Sequence, residues 1–133
     1  MPSNRTDDET AIQAVLASSY AAWAVGDAAG MVADYTQDAT AIMPGSLRDG
    51  RDAIRASMAT AFAGPLKGTT TDNRQLSLRF VGDDAAIVVS ESGILFGGQS
   101  EVPDERKVNA TWVLEKRDGR WLVAGYHNSP VLA

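Results

Sequence analysis

Apolar positions recur at helical spacing in the first half of the chain and at every second residue in the latter half, the change falling near Lys67. Ile12, Val15, Leu16, Ser19, Tyr20 and Trp23 share one helical face, because residues three and four apart lie on the same side of a helix. Thr6-Asp7-Asp8-Glu9 precedes them as a capping box, the Thr6 hydroxyl accepting from the Glu9 amide while Glu9 reaches back. Gly26 ends this helix, since glycine takes the left-handed conformation without steric penalty. Asp27 is placed to cap a second, shorter helix carrying Met31, Val32 and Tyr35. Gln37-Asp38 then turns into a short strand, 39–43, which Pro44-Gly45 stops. A third helix follows Gly50, with the stripe Ile54, Met58 and Phe62, and Gly64-Pro65 closes it.

Beyond Lys67, Leu76, Leu78 and Phe80 alternate with Gln75, Ser77 and Arg79, as in a strand with one covered face. Gly82-Asp83-Asp84 turns into a second strand, 85–96, apolar enough to be covered on much of both faces. A polar loop spans 97–105. Val108, Ala110, Trp112 and Leu114 alternate with Asn109, Thr111, Val113 and Glu115 in the next strand. Asp118-Gly119 signals a tight hairpin into a last strand over 121–128. Helices first and strands second argue for an α+β fold over alternating βαβ units. Three long antiparallel strands in a meander plus one short one form a sheet that three helices cover on one side.

A chain of 133 residues is the size of one domain, 1–133, with residues 1–6 read as a flexible tail. The hydrophobic fraction of 44% and charged fraction of 22% are globular values. Cysteine is absent, which excludes disulfides, thiolate metal ligands and cysteine nucleophiles and suits a reducing cytoplasm. No apolar run approaches the roughly 20 residues that cross a bilayer, and the polar, acidic start is the opposite of a signal peptide. A cytoplasmic protein without a membrane partner is the expectation. Net charge is −5, with basic residues scattered and outnumbered, so nucleic acid is not an expected partner.

Two groups of residues carry a family likeness. Trp23-Ala24-Val25-Gly26-Asp27, Gly30 to Tyr35, Asp38-Ala39-Thr40, Met43-Pro44 and Arg48 to Ile54 resemble the N-terminal half of the NTF2-like (SnoaL/ketosteroid-isomerase-like) cone fold. Asp118-Gly119-Arg120-Trp121 and His127-Asn128-Ser129 match its last hairpin. The chain is most similar to the SgcJ/EcaC-type subfamily, which includes proteins of enediyne natural-product gene clusters. The resemblance implies three N-terminal helices packed on a strongly curved, mostly antiparallel sheet around an internal pocket. It leaves activity open, because one cone hosts isomerases, cyclases, dehydratases, hydrolases and proteins that only bind. Aligned on Gly26-Asp27 and Asp38-Ala39-Thr40, the general-base aspartate of ketosteroid isomerase falls on Met43. Its oxyanion-hole tyrosine falls on Ser19, with Tyr20 about 100° round the helix. Methionine takes no proton, so that chemistry is not carried over.

The resemblance places the pocket between the concave sheet face and the helices, lined by Tyr20, Trp23, Tyr35, Met43, Met58, Phe62 and Trp112. Met and aromatic side chains make the deformable apolar walls that ligand sites use; the same stripes also serve packing. His127, the one histidine, joins the lining if it points inward and then acts as acid, base or clamp. Trp121, Val123, Gly125 and His127 share one face of the last strand, Leu122, Ala124, Tyr126 and Asn128 the other. Periodicity does not say which is concave. Glu91 is a general base if inward and a solvated side chain if outward. Arg48, Arg74 and Arg79 are read as surface or rim charges.

The catalytic candidates are therefore His127, Glu91 and Tyr20. One histidine and no cysteine make a poor metal set, and no glycine pattern fits a phosphate loop or dinucleotide fingerprint, so neither metal nor cofactor is expected. Two main functions stay open. One is a binding or accessory biosynthetic protein holding a small apolar, polyketide-like intermediate. The other is a cyclase, isomerase or dehydratase acting on it. A protein-interaction module is a third. The direction of Glu91 and His127 separates the first two. An outer sheet face exposing Val113 and, depending on facing, Leu122 and Tyr126 implies a homodimer.

Overall fold

All three expected helices form, and the first and third end at the glycines that mark them. The structure, a computed structural model, describes residues 5–132. Helix α1 (Thr6–Ala24) starts with Asp7, Asp8 and Glu9 in its first turn, where carboxylates complement the helix dipole. It begins one residue earlier than the capping box places it, with Arg5 at the cap position. Arg5 donates to the carbonyls of Gly82 and Asp83, and its guanidinium lies 3.5 Å above the Phe80 ring. Arg5 and Thr6 thus belong to the fold and not to a tail; residues 1–4 of that expected tail lie outside the described residues.

Gly26 follows α1 with φ 68°. Asp27 caps α2 (Ala28–Met31) by accepting from the Gly30 amide at 2.9 Å. This helix is shorter than expected, because the Asp34 carbonyl accepts from Val123 and draws the chain onto the last strand. Strand β1 (Tyr35–Met43) therefore already begins at Tyr35. Pro44-Gly45 does more than stop it: with Gly45 at φ 75° the chain reverses into an unanticipated strand, β2 (Ser46–Asp49), pairing Met43 with Ser46. Helix α3 (Arg51–Ala63) buries Ile54, Met58 and Phe62.

Four long strands follow: β3 (Thr70–Phe80), β4 (Ala85–Leu95), β5 (Val108–Arg117) and β6 (Arg120–Pro130). Asp118 and Gly119 join the last two with φ 52° and 78°, the positive pair that a tight I′ hairpin needs. Sheet order is β2-β1-β6-β5-β4-β3, antiparallel except for the parallel β1–β6 pair. Extra residues interrupt the ladder at Leu76 in β3 and Ala124 in β6. Such bulges bend and twist a strand, and here they help curve the sheet round the helices. The bulge also turns Leu76 out of the expected apolar face, leaving it exposed.

One polar node ties α1 to the β5–β6 hairpin. Asp8 accepts from Trp121 Nε1 at 3.0 Å, Lys116 Nζ at 3.1 Å and Arg5 Nε at 3.2 Å. The indole bond, ahead of the two cations, holds the Asp8 carboxyl below its ordinary 3.8. A depressed native value means the contribution is complete above the unfolded-state pKa and lost as pH falls through the native one. Asp8→Ala leaves a buried indole N–H unpaired and is expected to cost about 1–3 kcal/mol at pH 7. Urea titrations should show the gap to wild type narrowing below about pH 4; a gap independent of pH would exclude this account.

Candidate functional site

Residues directly opposite each other in a ladder point to the same face. One such row runs Arg48–Ala41–Tyr126–Trp112–Val88–Leu78 across all six strands. It forms the concave floor. The adjacent row, Leu47–Ile42–His127–Thr111–Val89, lies on the outer face.

Between the floor and the helices is a cavity of about 440 Å³. Helix α1 contributes Ser19, Tyr20 and Trp23, α2 contributes Met31, and α3 contributes Ile54 and Met58. Tyr35, Ala41, Met43, Arg48, Trp112, Tyr126 and Asn128 come from the sheet, and Asn73, Ser92, Phe96 and Arg106 also reach it. Trp112 anchors an aromatic cluster, 4.5 Å from the Tyr126 ring and edge-on to Tyr20 at 6.0 Å between centroids. Trp23 is fixed by its indole bond to Thr69 Oγ1 at 3.0 Å and by Phe62, packed edge-on at 5.3 Å.

Tyr20, Trp23, Tyr35, Met43, Met58 and Trp112 all line the cavity. Phe62 does not reach it and packs against Trp23. His127 is exposed on the outer face. The physical reason is the bulge at Ala124, which breaks the strict alternation expected along the last strand: Trp121 and Val123 are buried, and beyond the extra residue Tyr126 and Asn128 take the inner side. Tyr126 therefore faces inward and leaves the outer apolar surface to others. Glu91 also points outward, in the row Arg74–Glu91–Asn109–Ser129, because its neighbours Ser90 and Ser92 take the inner side. It pairs with Arg74 at 3.4 Å and Lys107 at 3.9 Å.

Among the described residues the cavity lining consequently contains no carboxylate and no histidine. Its titratable hydroxyls are held protonated. Burial pushes the Tyr20 phenol up to about 12, with Ser90 and Trp112 offsetting part of the rise. Burial likewise raises Tyr35, and Tyr126 rises despite the bond from Asn128 Nδ2 to its oxygen at 2.8 Å. These phenols donate hydrogen bonds and do not act as bases near neutral pH. Trp112 Nε1, although beside Tyr20, has no acceptor in hydrogen-bonding geometry.

The sequence reading missed Arg48 as a site residue. Its Nε is buried without a partner, Nη1 lies 3.2 Å from the Met58 sulfur, and burial pushes its pKa below the ordinary value. The signal was Pro44-Gly45 read as a hairpin, which sets Arg48 opposite Ala41 and on its face.

With the geometry in hand, comparison with known proteins places the chain. A family model described as a SnoaL-like domain matches residues 12–133. The chain belongs to the SnoaL-like family. No curated protein matches it. Among solved structures, the SnoaL-like chain is similar to a domain of unknown function with a cystatin-like fold from Nostoc punctiforme. The two share 29% identity with TM-score 0.88, covering 98% of this chain and 81% of that one. An NTF2-like protein with a cystatin-like fold from Novosphingobium aromaticivorans matches at 18% identity and TM-score 0.82, covering 96% and 84%. A ketosteroid isomerase-like protein from Erwinia carotovora matches at 19% identity and TM-score 0.75, covering 96% and 99%. The last two likenesses are of fold alone. Among the described residues, no helix of the SnoaL-like chain is long and apolar enough to cross a membrane.

Proposed function

We propose that this SnoaL-like protein binds a small, largely apolar organic molecule in its cavity and works as a binding or accessory protein in the cytoplasm. The SgcJ/EcaC likeness suggests a polyketide-like intermediate of the kind found in enediyne biosynthesis. The supporting observation is the lining itself: about 440 Å³ walled by methionine and aromatic side chains, with no carboxylate or histidine among its described residues. Such walls favour an apolar guest by removing its surface from water. They offer no acid–base pair for proton transfer.

A cyclase, isomerase or dehydratase is the second reading, and one observation favours it. Tyr20 lines the cavity and its phenol stays protonated, and such a donor can polarise a ligand carbonyl. On the outer sheet face Leu47, Ile42 and Val113 are exposed at 67%, 43% and 37%. Apolar surface of this kind is commonly covered by a partner. A second copy of the chain is our reading, ahead of a different protein.

The test is incubation of purified protein with extract of its native producer, followed by mass spectrometry of what co-purifies. Recovery of an unaltered apolar compound is expected. A chemically changed compound would favour the enzyme reading, and no enrichment of any small molecule would count against both. In sedimentation at micromolar concentration the same sample should run as a dimer; a clean monomer would remove the self-association.

A further inference from the structure

We propose that the ligand carries an anionic oxygen group, of the carboxylate class, and that Arg48 is the residue that binds it. This rests on the cavity being a ligand site. The chain as a whole is acidic, with 17 acidic against 12 basic residues. Its cavity has the opposite sign, with two arginines and no carboxylate among the described residues of the lining.

The two arginines differ. Arg106 is already engaged, donating to Gln99 Oε1 at 2.6 Å and lying 4.8 Å above the Phe96 ring. Arg48 forms no ion pair among the described residues. Among the described residues, its one side-chain hydrogen-bond contact is a thioether sulfur, a weak acceptor. A buried donor left unpaired is unfavourable, and a guanidinium cannot relieve the cost by losing its proton. Partial exposure of the residue keeps the empty protein foldable. An anion entering the cavity supplies what is missing, because the planar guanidinium fork matches a carboxylate.

Position supports the same conclusion. Arg48 stands at one end of the floor row, beside the small Ala41, with Tyr126 and Trp112 beyond it. A ligand head at Arg48 would therefore lay its apolar body across those two rings. The Trp112 ring lines the cavity, and its Nε1 is buried without a hydrogen-bond partner.

Two probes with one apolar body separate the contributions: neutral N-phenyl-1-naphthylamine and its sulfonated analogue, 8-anilino-1-naphthalenesulfonate. Fluorescence titration at physiological salt should show the sulfonate binding wild type at least about tenfold more tightly, the worth of a charge-assisted hydrogen bond. Arg48→Gln should weaken the sulfonate by about 10- to 100-fold and the neutral amine by no more than about twofold. Arg48→Lys should recover part of the loss. Equal affinity of wild type for the two probes would overturn the assignment while leaving a binding cavity in place. So would an Arg48→Gln effect shared equally by both, or a variant melting well below wild type, which would mark Arg48 as structural. Failure of both probes to bind wild type would remove the cavity reading itself.

Discussion

Leu114→Ala is expected to lower the free energy of unfolding by about 2–5 kcal/mol in urea titrations, because it empties a fully packed position. Leu114 is 0% exposed, lies outside the cavity and is paired across the ladder with Ala86 and Val123, themselves wholly buried. Ile12, Val88 and Trp121 belong to the same buried cluster. Met58 is almost as buried, but one side of it already faces empty volume. A side chain with neighbours missing on one side has fewer dispersion contacts to lose, so Met58→Ala should cost only about 1–2 kcal/mol, at or below the low end for such truncations. The contrast divides the interior into a solid end near the β5–β6 hairpin and a hollow end near β2 and α3. Equal losses at the two positions would mean that no such division exists.

How far the sequence reveals this arrangement depends on whether the deciding interactions are local. Asp27, Gly26 and Gly64 mark helix boundaries through their own backbone preferences, and Asp118-Gly119 requires its hairpin; these were readable from short stretches. The Met and aromatic wall was readable too, since Tyr20, Trp23 and Met58 face inward by helical spacing alone. Three features were not. The length of α2 is set by the bond from Val123 to Asp34, across most of the chain. The facing of His127 is set by one extra residue, Ala124, which appears only once β6 is matched to β5. Arg48 looked like a surface charge because arginine usually is one, and only its pairing with Ala41 turns it inward. Strand facing is thus a property of the pair, whereas helix facing belongs to the single segment.

Ala41→Phe should abolish most ligand binding while leaving the fold intact. Ala41 is buried on the floor row between Arg48 and Tyr126 and lines the cavity. A ring built there would occupy space the guest needs. Displacing about 100 Å² of apolar ligand contact costs about 2.5 kcal/mol, or roughly 70-fold in affinity. Both naphthylamine probes should weaken together, unlike the selective loss expected for Arg48→Gln, because shape and not charge is removed. In a filled core the same change would force strain worth about 1–3 kcal/mol. Over an empty cavity the ring gains contacts, and phenylalanine suits a strand better than alanine, so stability should stay within about 1 kcal/mol of wild type. Chemical denaturation and probe titration on one variant therefore discriminate the two interiors: intact stability with lost binding requires a real void, and lost stability requires that the floor already be packed.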